Sequence, residues 1–262
     1  IAAGPFKPNL PTIQLINQLE FDKNFIRLGT GELSPQLFPQ DMLAAVFKAL
    51  PAKISSLNYL EARGLAELRE SLVQRLSSRG INVKPSNILI TSGSLQALQL
   101  ISVGMLKPGA QVYTETPTYL KSLQVFQSAG ISFTGIAMDK SGLIPWKIGK
   151  VPNGSLLYTI PTYQNPTTLV MTAERRKEVF DFCSKYRLPI LEDDAYGELH
   201  FDGNTPPFPI KALDDSGVVL YTGTISKTLA PGFRVGWLVG PESVVNRLAD
   251  VKMQMDYGAS SL

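Results

Sequence analysis

Six short runs of this chain are apolar almost throughout: "NILIT" (87–91), "QVYTE" (111–115), "LLYTI" (156–160), "PILE" (189–192), "VVLYT" (218–222) and "VGWLVG" (235–240). A run of this length without apolar/polar alternation needs cover on both faces, which a mainly parallel sheet under two helical layers provides. Patterns of helical period lie between the runs. "GLAELRESLVQRLSSRG" puts Leu65, Leu68, Leu72 and Leu76 on one face and has Gly80 as its stop. "SLQALQLISVGML" starts a helix after Ser92, Gly93 and Ser94, and "TAERRKEVFDFCSKYR" has Thr172 placed to cap it. Strand–helix alternation over most of the chain predicts a doubly wound α/β sandwich, in which ligands sit at the carboxyl ends of the strands. Five of the six runs end in polar clusters: "TSGS", "ETPTY", "PTYQNP", "EDDAY" and "GTISK". The first thirty-odd residues, rich in Pro and Gly, read as an irregular arm.

What else the chain could be is narrowed by a few counts. It has 262 residues, 25 basic and 22 acidic, for a net charge of +3. No basic block marks a nucleic-acid surface. A single cysteine, Cys183, excludes an internal disulfide framework or a cysteine zinc cluster, and it reads as a core residue. A single histidine, His200, leaves no multi-histidine metal site; it is expected near the rim of the site. Met253 and Met255 read as helix packing. No apolar run spans a bilayer, "IAAGPFKPNL" is no signal peptide, and a cytoplasmic setting is expected. The chain begins without Met and is read as part of a longer protein.

Three stretches carry chemistry. In "ILEDDAYGEL", Asp193 and Asp194 end an apolar strand, where a carboxylate can hold a ligand nitrogen protonated; a solvated pair in a turn or a magnesium site reads equally well. In "TSGSLQAL" and "GTISK", small residues entering a helix leave backbone N–H groups free for an anion, with Ser94, Thr224 and Arg234 as further donors; simple helix capping is the plain alternative. Lys227 becomes a nucleophile for carbonyls if burial and cationic neighbours such as Arg234 lower its pKa; otherwise it caps a turn.

A phosphate cradle, an acid for a ring nitrogen, an aromatic able to stack and an amine able to condense with a carbonyl together match pyridoxal phosphate. "TISKTLAPGFRVGW" resembles the lysine segment of class I and II aminotransferases, the fold-type I group of pyridoxal-phosphate enzymes. "YQNPTT" resembles their Asn-Pro-Thr segment and "EDDAYGEL" their Asp-x-x-Tyr segment; "NYLEARGLAELRESL" and "ITSGSLQAL" match in the same order. The likeness runs from about Gly29 to the last residue. It is strongest to 2-aminoadipate and kynurenine aminotransferase-like proteins and to the aminotransferase-like domain of MocR regulators of the GntR type.

The resemblance implies a three-layer α/β/α sandwich with a mostly parallel seven-strand sheet, six of whose strands are the runs above. It implies an N-terminal arm (1–40), a large pyridoxal-phosphate-binding domain (41–262), and a small C-terminal domain missing from this chain. Lys227 would form the aldimine and shuttle a proton. Asp193 would pair with the pyridinium nitrogen, and Asn165 and Tyr196 with the phenolic oxygen. Tyr119 would stack on the ring. Ser94, the amide of Leu95, Thr224 and Arg234 would bind the phosphate, with Tyr59 reaching across to the partner subunit's phosphate. Gly31 would lie near the substrate. No metal is implied. The activity implied is amino-group transfer between an α-amino acid and a 2-oxo acid by a homodimer. The alternative is a cofactor-binding, effector-sensing domain of a transcriptional regulator, which touches DNA only through a winged-helix segment not in this chain. Two departures stand out. The arginine that grips the substrate carboxylate in the family belongs to the C-terminal domain, and Thr168 stands where many relatives have the more permissive Gly.

Overall fold

The apolar runs assemble into the centre of one sheet. The computed structural model describes residues 11–26, 28–201 and 203–261. The strands are β1 (Ile88–Thr91), β2 (Gln111–Thr116), β3 (Ser132–Asp139), β4 (Gly142–Leu143), β5 (Leu156–Thr159), β6 (Ile190–Asp193), β7 (Val219–Thr224) and β8 (Gly236–Val239). Their order across the sheet is β1-β8-β7-β6-β5-β2-β3-β4. The block β7-β6-β5-β2-β3 is parallel; β8 runs antiparallel to both its neighbours, and β4 is antiparallel to β3. The sheet is therefore mixed and mostly parallel. It has eight strands rather than seven because the two residues of β4 extend its edge.

Helices cover both faces, as three-layer packing requires. On one face α4 (Ser94–Gly104), α5 (Leu120–Ser128) and α7 (Glu242–Asp256) bury Leu98, Ile101, Phe126 and Leu248 against Leu89, Val112, Tyr158, Leu191 and Leu238. On the other, α6 (Ala173–Tyr186) packs Val179 and Cys183 against Leu157, Ile190 and Val219. Beside it α3 (Ala66–Ser77) packs Leu72 and Leu76 against Ile88, Tyr221 and Trp237. Neighbouring residues of β1, β2, β5, β6, β7 and β8 fall in opposite clusters, so each of these strands is apolar on both sides, and each fully buried Leu or Ile contributes about 1.5–3 kcal/mol.

The helix boundaries follow local chemistry. Thr172 Oγ1 accepts from Arg175 N at 3.2 Å and caps α6. After α3 the chain turns through Gly80 at φ +75, and Ile81 N returns to Leu76 O at 3.0 Å. The N-terminal stretch departs from the irregular arm expected of it. Pro11–Glu20 form α1, started by a proline that suits a first turn, and Gln40–Ala49 form α2. Ile1–Leu10 and Arg27 lie outside the described residues. Among the described residues no helix is long and apolar enough to cross a membrane.

Candidate active site

The polar strand ends converge. Ser94, Leu95, Tyr119, Asn165, Asp193, Tyr196, Thr224, Lys227 and Arg234 all line one cavity of about 210 Å³. Its floor is the carboxyl end of β6 and β7, and its walls are the starts of α4 and α5.

At one end α4 begins without a side-chain cap, so the first-turn amides are left for a ligand. Its N-cap Gly93 has φ +84, and a Cβ there would fall 2.5 Å from Arg234 Nη2. Glycine thus lets the guanidinium lie flat against the helix start, where Nη2 donates to Ser92 O at 2.9 Å. Thr224 Oγ1 donates to Val235 O at 2.8 Å and accepts from Ser226 N at 3.1 Å.

At the other end stands Asp193, buried to 5% exposure. Its Oδ2 accepts from the Tyr158 hydroxyl at 2.9 Å. Its Oδ1 is buried and has no hydrogen-bond donor among the described residues. Burial pushes this carboxyl up to about 6, against the Tyr158 hydrogen bond, while neighbouring Asp194 pushes the same way as burial. Strand alternation turns Asp194 to the opposite face, where its Oδ2 accepts from Tyr221 at 2.8 Å and from Arg79 at 2.9 Å. Asp193 is therefore the one of the pair that lines the cavity.

Between these ends, Asn165 Nδ2 and the Tyr196 hydroxyl lie 3.5 Å apart. Burial raises the Tyr196 phenol, and so does Asp193. Lys227 Nζ lies 5.9 Å from the Tyr196 ring centre and donates to Thr30 O at 2.6 Å. Burial lowers the Lys227 pKa; Glu32 opposes this and Lys121 adds to it. The cationic neighbour is thus Lys121 rather than Arg234. A neutral amine is the form that attacks carbonyls. Gly31, at φ +60, borders this amine: a Cβ there would sit 3.6 Å from Lys227 Nζ.

Tyr59 stands apart from the cavity. It is 80% exposed and packs on Tyr257 with ring centres 4.6 Å apart and planes tilted by 57°. His200 is also elsewhere, exposed beside a separate cavity with Arg75 and Arg79, because the chain after Tyr196 turns away from the sheet end. Cys183 is fully buried, and Met255 is 44% exposed rather than packed. The sequence reading passed over Lys121 and Ser226, which line the cavity, and Tyr158, which lies beneath it. Ser226 precedes Lys227 and Lys121 stands two residues after Tyr119, whereas Tyr158 reads as one more apolar residue of "LLYTI".

A family model described as aminotransferase class I and II matches residues 23–262. An uncharacterised HTH-type transcriptional regulator of Bacillus subtilis (strain 168), YisV, is 49% identical over 268 residues, covering 100% of this chain and 54% of that protein. The chain spans about half the length of the curated relatives it matches. Among solved structures, an archaeal alanine:glyoxylate aminotransferase is 33% identical with a TM-score of 0.87, covering 97% of this chain and 66% of that one. A kynurenine aminotransferase of Pyrococcus horikoshii is 35% identical with a TM-score of 0.85, covering 96% of this chain and 65% of that one.

Proposed function

The chain belongs to the aminotransferase class I and II family, and from that premise we propose that it is the pyridoxal 5′-phosphate-binding, effector-sensing part of an HTH-type transcriptional regulator. The observation that carries this reading is the 49% identity across the whole chain to a protein named as such a regulator. The aminotransferase structures above match at 33% and 35%. Residues 1–40 then serve as an arm leading into the binding domain of 41–262. DNA contact belongs to a winged-helix segment elsewhere in the full-length protein, which acts in the cytoplasm as a homodimer.

The cavity suits this cofactor on three features of its own residues: uncapped amides beside Arg234 for a phosphate, an unpartnered buried carboxylate oxygen for a ring N–H, and a desolvated lysine. Ser94, the Leu95 amide, Thr224 and Arg234 would hold the phosphate. Tyr119 would stack on the ring, and Asn165 and Tyr196 would hydrogen-bond the phenolic oxygen. Tyr59 would reach the partner's site. When bound, the cofactor supplies an aldehyde carbon for an amine and a protonated ring that draws electrons from it. Asp193 would keep the ring nitrogen protonated through Oδ1. Lys227 would supply the amine and, as a general base and acid, would move a proton at the Cα of a bound amino acid.

The same residues also support a second reading, catalytic transamination between an α-amino acid and a 2-oxo acid, because Lys227, Asp193, Asn165 and Tyr196 share one cavity. DNA affinity of the full-length protein, measured by anisotropy with pyridoxal phosphate and a panel of amino acids, separates the two. A sensor shifts its DNA affinity at least tenfold with one amino acid and accumulates no 2-oxo acid. Many turnovers of 2-oxo acid with unchanged DNA affinity would establish the enzyme instead.

A further inference from the structure

Asp193 has two carboxylate oxygens in very different surroundings. Oδ2 accepts from the Tyr158 hydroxyl at 2.9 Å, and Oδ1 has no donor among the described residues. We propose that Tyr158 is a positioning residue of this site: its phenol occupies Oδ2, fixes the carboxylate, and leaves Oδ1 alone to meet the ring nitrogen of the cofactor. This rests on the cofactor reading given above.

The sheet dictates the pairing. Tyr158 on β5 is in register with Leu191 on the parallel neighbour β6. Asp193 is two residues further on, hence on the same face, about 6.6 Å along the strand. A tyrosine reaches that far; a phenylalanine reaches almost as far but has no proton to give. Tyr158 cannot swing away. It is fully buried, and its ring meets the Phe126 ring of α5 edge-on at 5.8 Å and 60°.

The phenol also lies beside the wall that carries Tyr119, where the Ser122 hydroxyl of α5, a neighbour of Tyr158, donates to the Tyr119 carbonyl at 2.6 Å.

Charge makes that phenol matter more. The ionisable groups acting on Asp193 or responding to it are Asp194 beside it, Glu115 on β2, Tyr119 at α5 and Tyr196 in the following loop; none is a cation. Asp194 has Arg79 to support its charge, at 2.9 Å. Asp193 has the Tyr158 hydroxyl on Oδ2, with the Ala195 amide nearby. Removing the hydroxyl leaves burial to act against the carboxylate with one donor fewer.

The test is Tyr158→Phe in the full-length protein. Without cofactor, the Asp193 carboxyl midpoint, followed by ¹³C NMR, should rise by about one unit, tenfold in proton affinity. 3-Fluorotyrosine at position 158, a more acidic and stronger donor, should move it down. With ring-¹⁵N-labelled pyridoxal phosphate bound, the ring should lose its proton at a lower pH in Tyr158→Phe than in the parent. A folded Tyr158→Phe protein whose Asp193 midpoint stays put or falls overturns the proposal; if that variant does not fold, an unmoved midpoint with 3-fluorotyrosine at position 158 does so. A shifted midpoint in a protein that binds no pyridoxal phosphate supports the Tyr158–Asp193 coupling and refutes the cofactor assignment.

Discussion

Lys227 and Lys121 place two primary amines around one small cavity. Because Lys121 adds to the depression of Lys227, Lys121→Ala should raise the Lys227 pKa and reduce its neutral fraction at neutral pH. The pH profile of amine labelling at Lys227 measures this, and a midpoint that stays or falls would contradict the assigned neighbour. The adjacent aspartates differ more sharply. Asp193 goes from 3.8 unfolded to about 6 folded, so it holds its proton more tightly in the native state. Its contribution to stability is present below the unfolded value and is lost as pH rises from about 4 to about 6. Asp193→Asn should therefore make the cofactor-free protein more stable at pH 7 by about 3 kcal/mol, a difference that vanishes below about pH 4. Burial raises the Asp194 carboxyl too, but Asp194→Asn should still cost about 3 kcal/mol, because it removes the ion-pair partner of the largely buried Arg79 guanidinium. Urea midpoints at both pH values separate the two; equal losses would mean that Asp193 is also a structural acid. The sequence made both aspartates legible as strand-end acids, but choosing between them from residues alone takes the register of β6.

At the scale of elements, legibility followed burial. β1, β2, β5, β6, β7 and β8 were readable because both faces of each are covered, which forces continuous apolar runs. β3 was not, since its sequence "SFTGIAMD" leaves most residues half or fully exposed beside a two-residue edge partner. α1 was hidden behind proline and glycine, which signal loops more often than helix starts. The turn after Asn165 shows the sequence's departure from its relatives in physical form. Thr168 has φ +62 and Thr168 N donates to Gln164 O at 2.6 Å. A β-branched residue in this region costs about 1–2 kcal/mol, partly offset in glycine by its larger loss of chain entropy. Thr168→Gly should thus stabilise the protein by about 0.5–1 kcal/mol in chemical denaturation, and a destabilised variant would show that the threonine side chain has a compensating role. At the opposite end of the same connection, Thr172→Ala should cost about 1 kcal/mol through loss of the α6 cap.

At the scale of the whole molecule, the described surface is uneven. Leu37, Met42, Val46, Phe47 and Leu57 are all more than half exposed, and α2 buries no residue at all. An amphipathic helix with an uncovered apolar stripe is a surface made for another surface. Phe38 and Phe47 face Leu229 and Phe233, just beyond Lys227, across a cleft of 620 Å³. A homodimer closing over this side would put its seam beside the lysine loop, and an isologous two-fold would make each protomer donate one Tyr59 and receive one. Among the described residues Tyr59 has one ring contact, the tilted packing on Tyr257. Tyr59→Phe keeps that packing and removes only the hydroxyl, so it should weaken retention of pyridoxal phosphate without changing the melting temperature of the cofactor-free protein. Mixing Tyr59→Phe protomers with Lys227→Ala protomers then gives a sharper expectation. In each mixed dimer one site combines an intact Lys227 with the partner's Tyr59, and the other site has neither. Retention of cofactor by Lys227, trapped with borohydride, should recover in part on mixing and subunit exchange. A protein that sediments as a monomer at micromolar concentration while binding the cofactor fully would leave Tyr59 with no role beyond its ring contact.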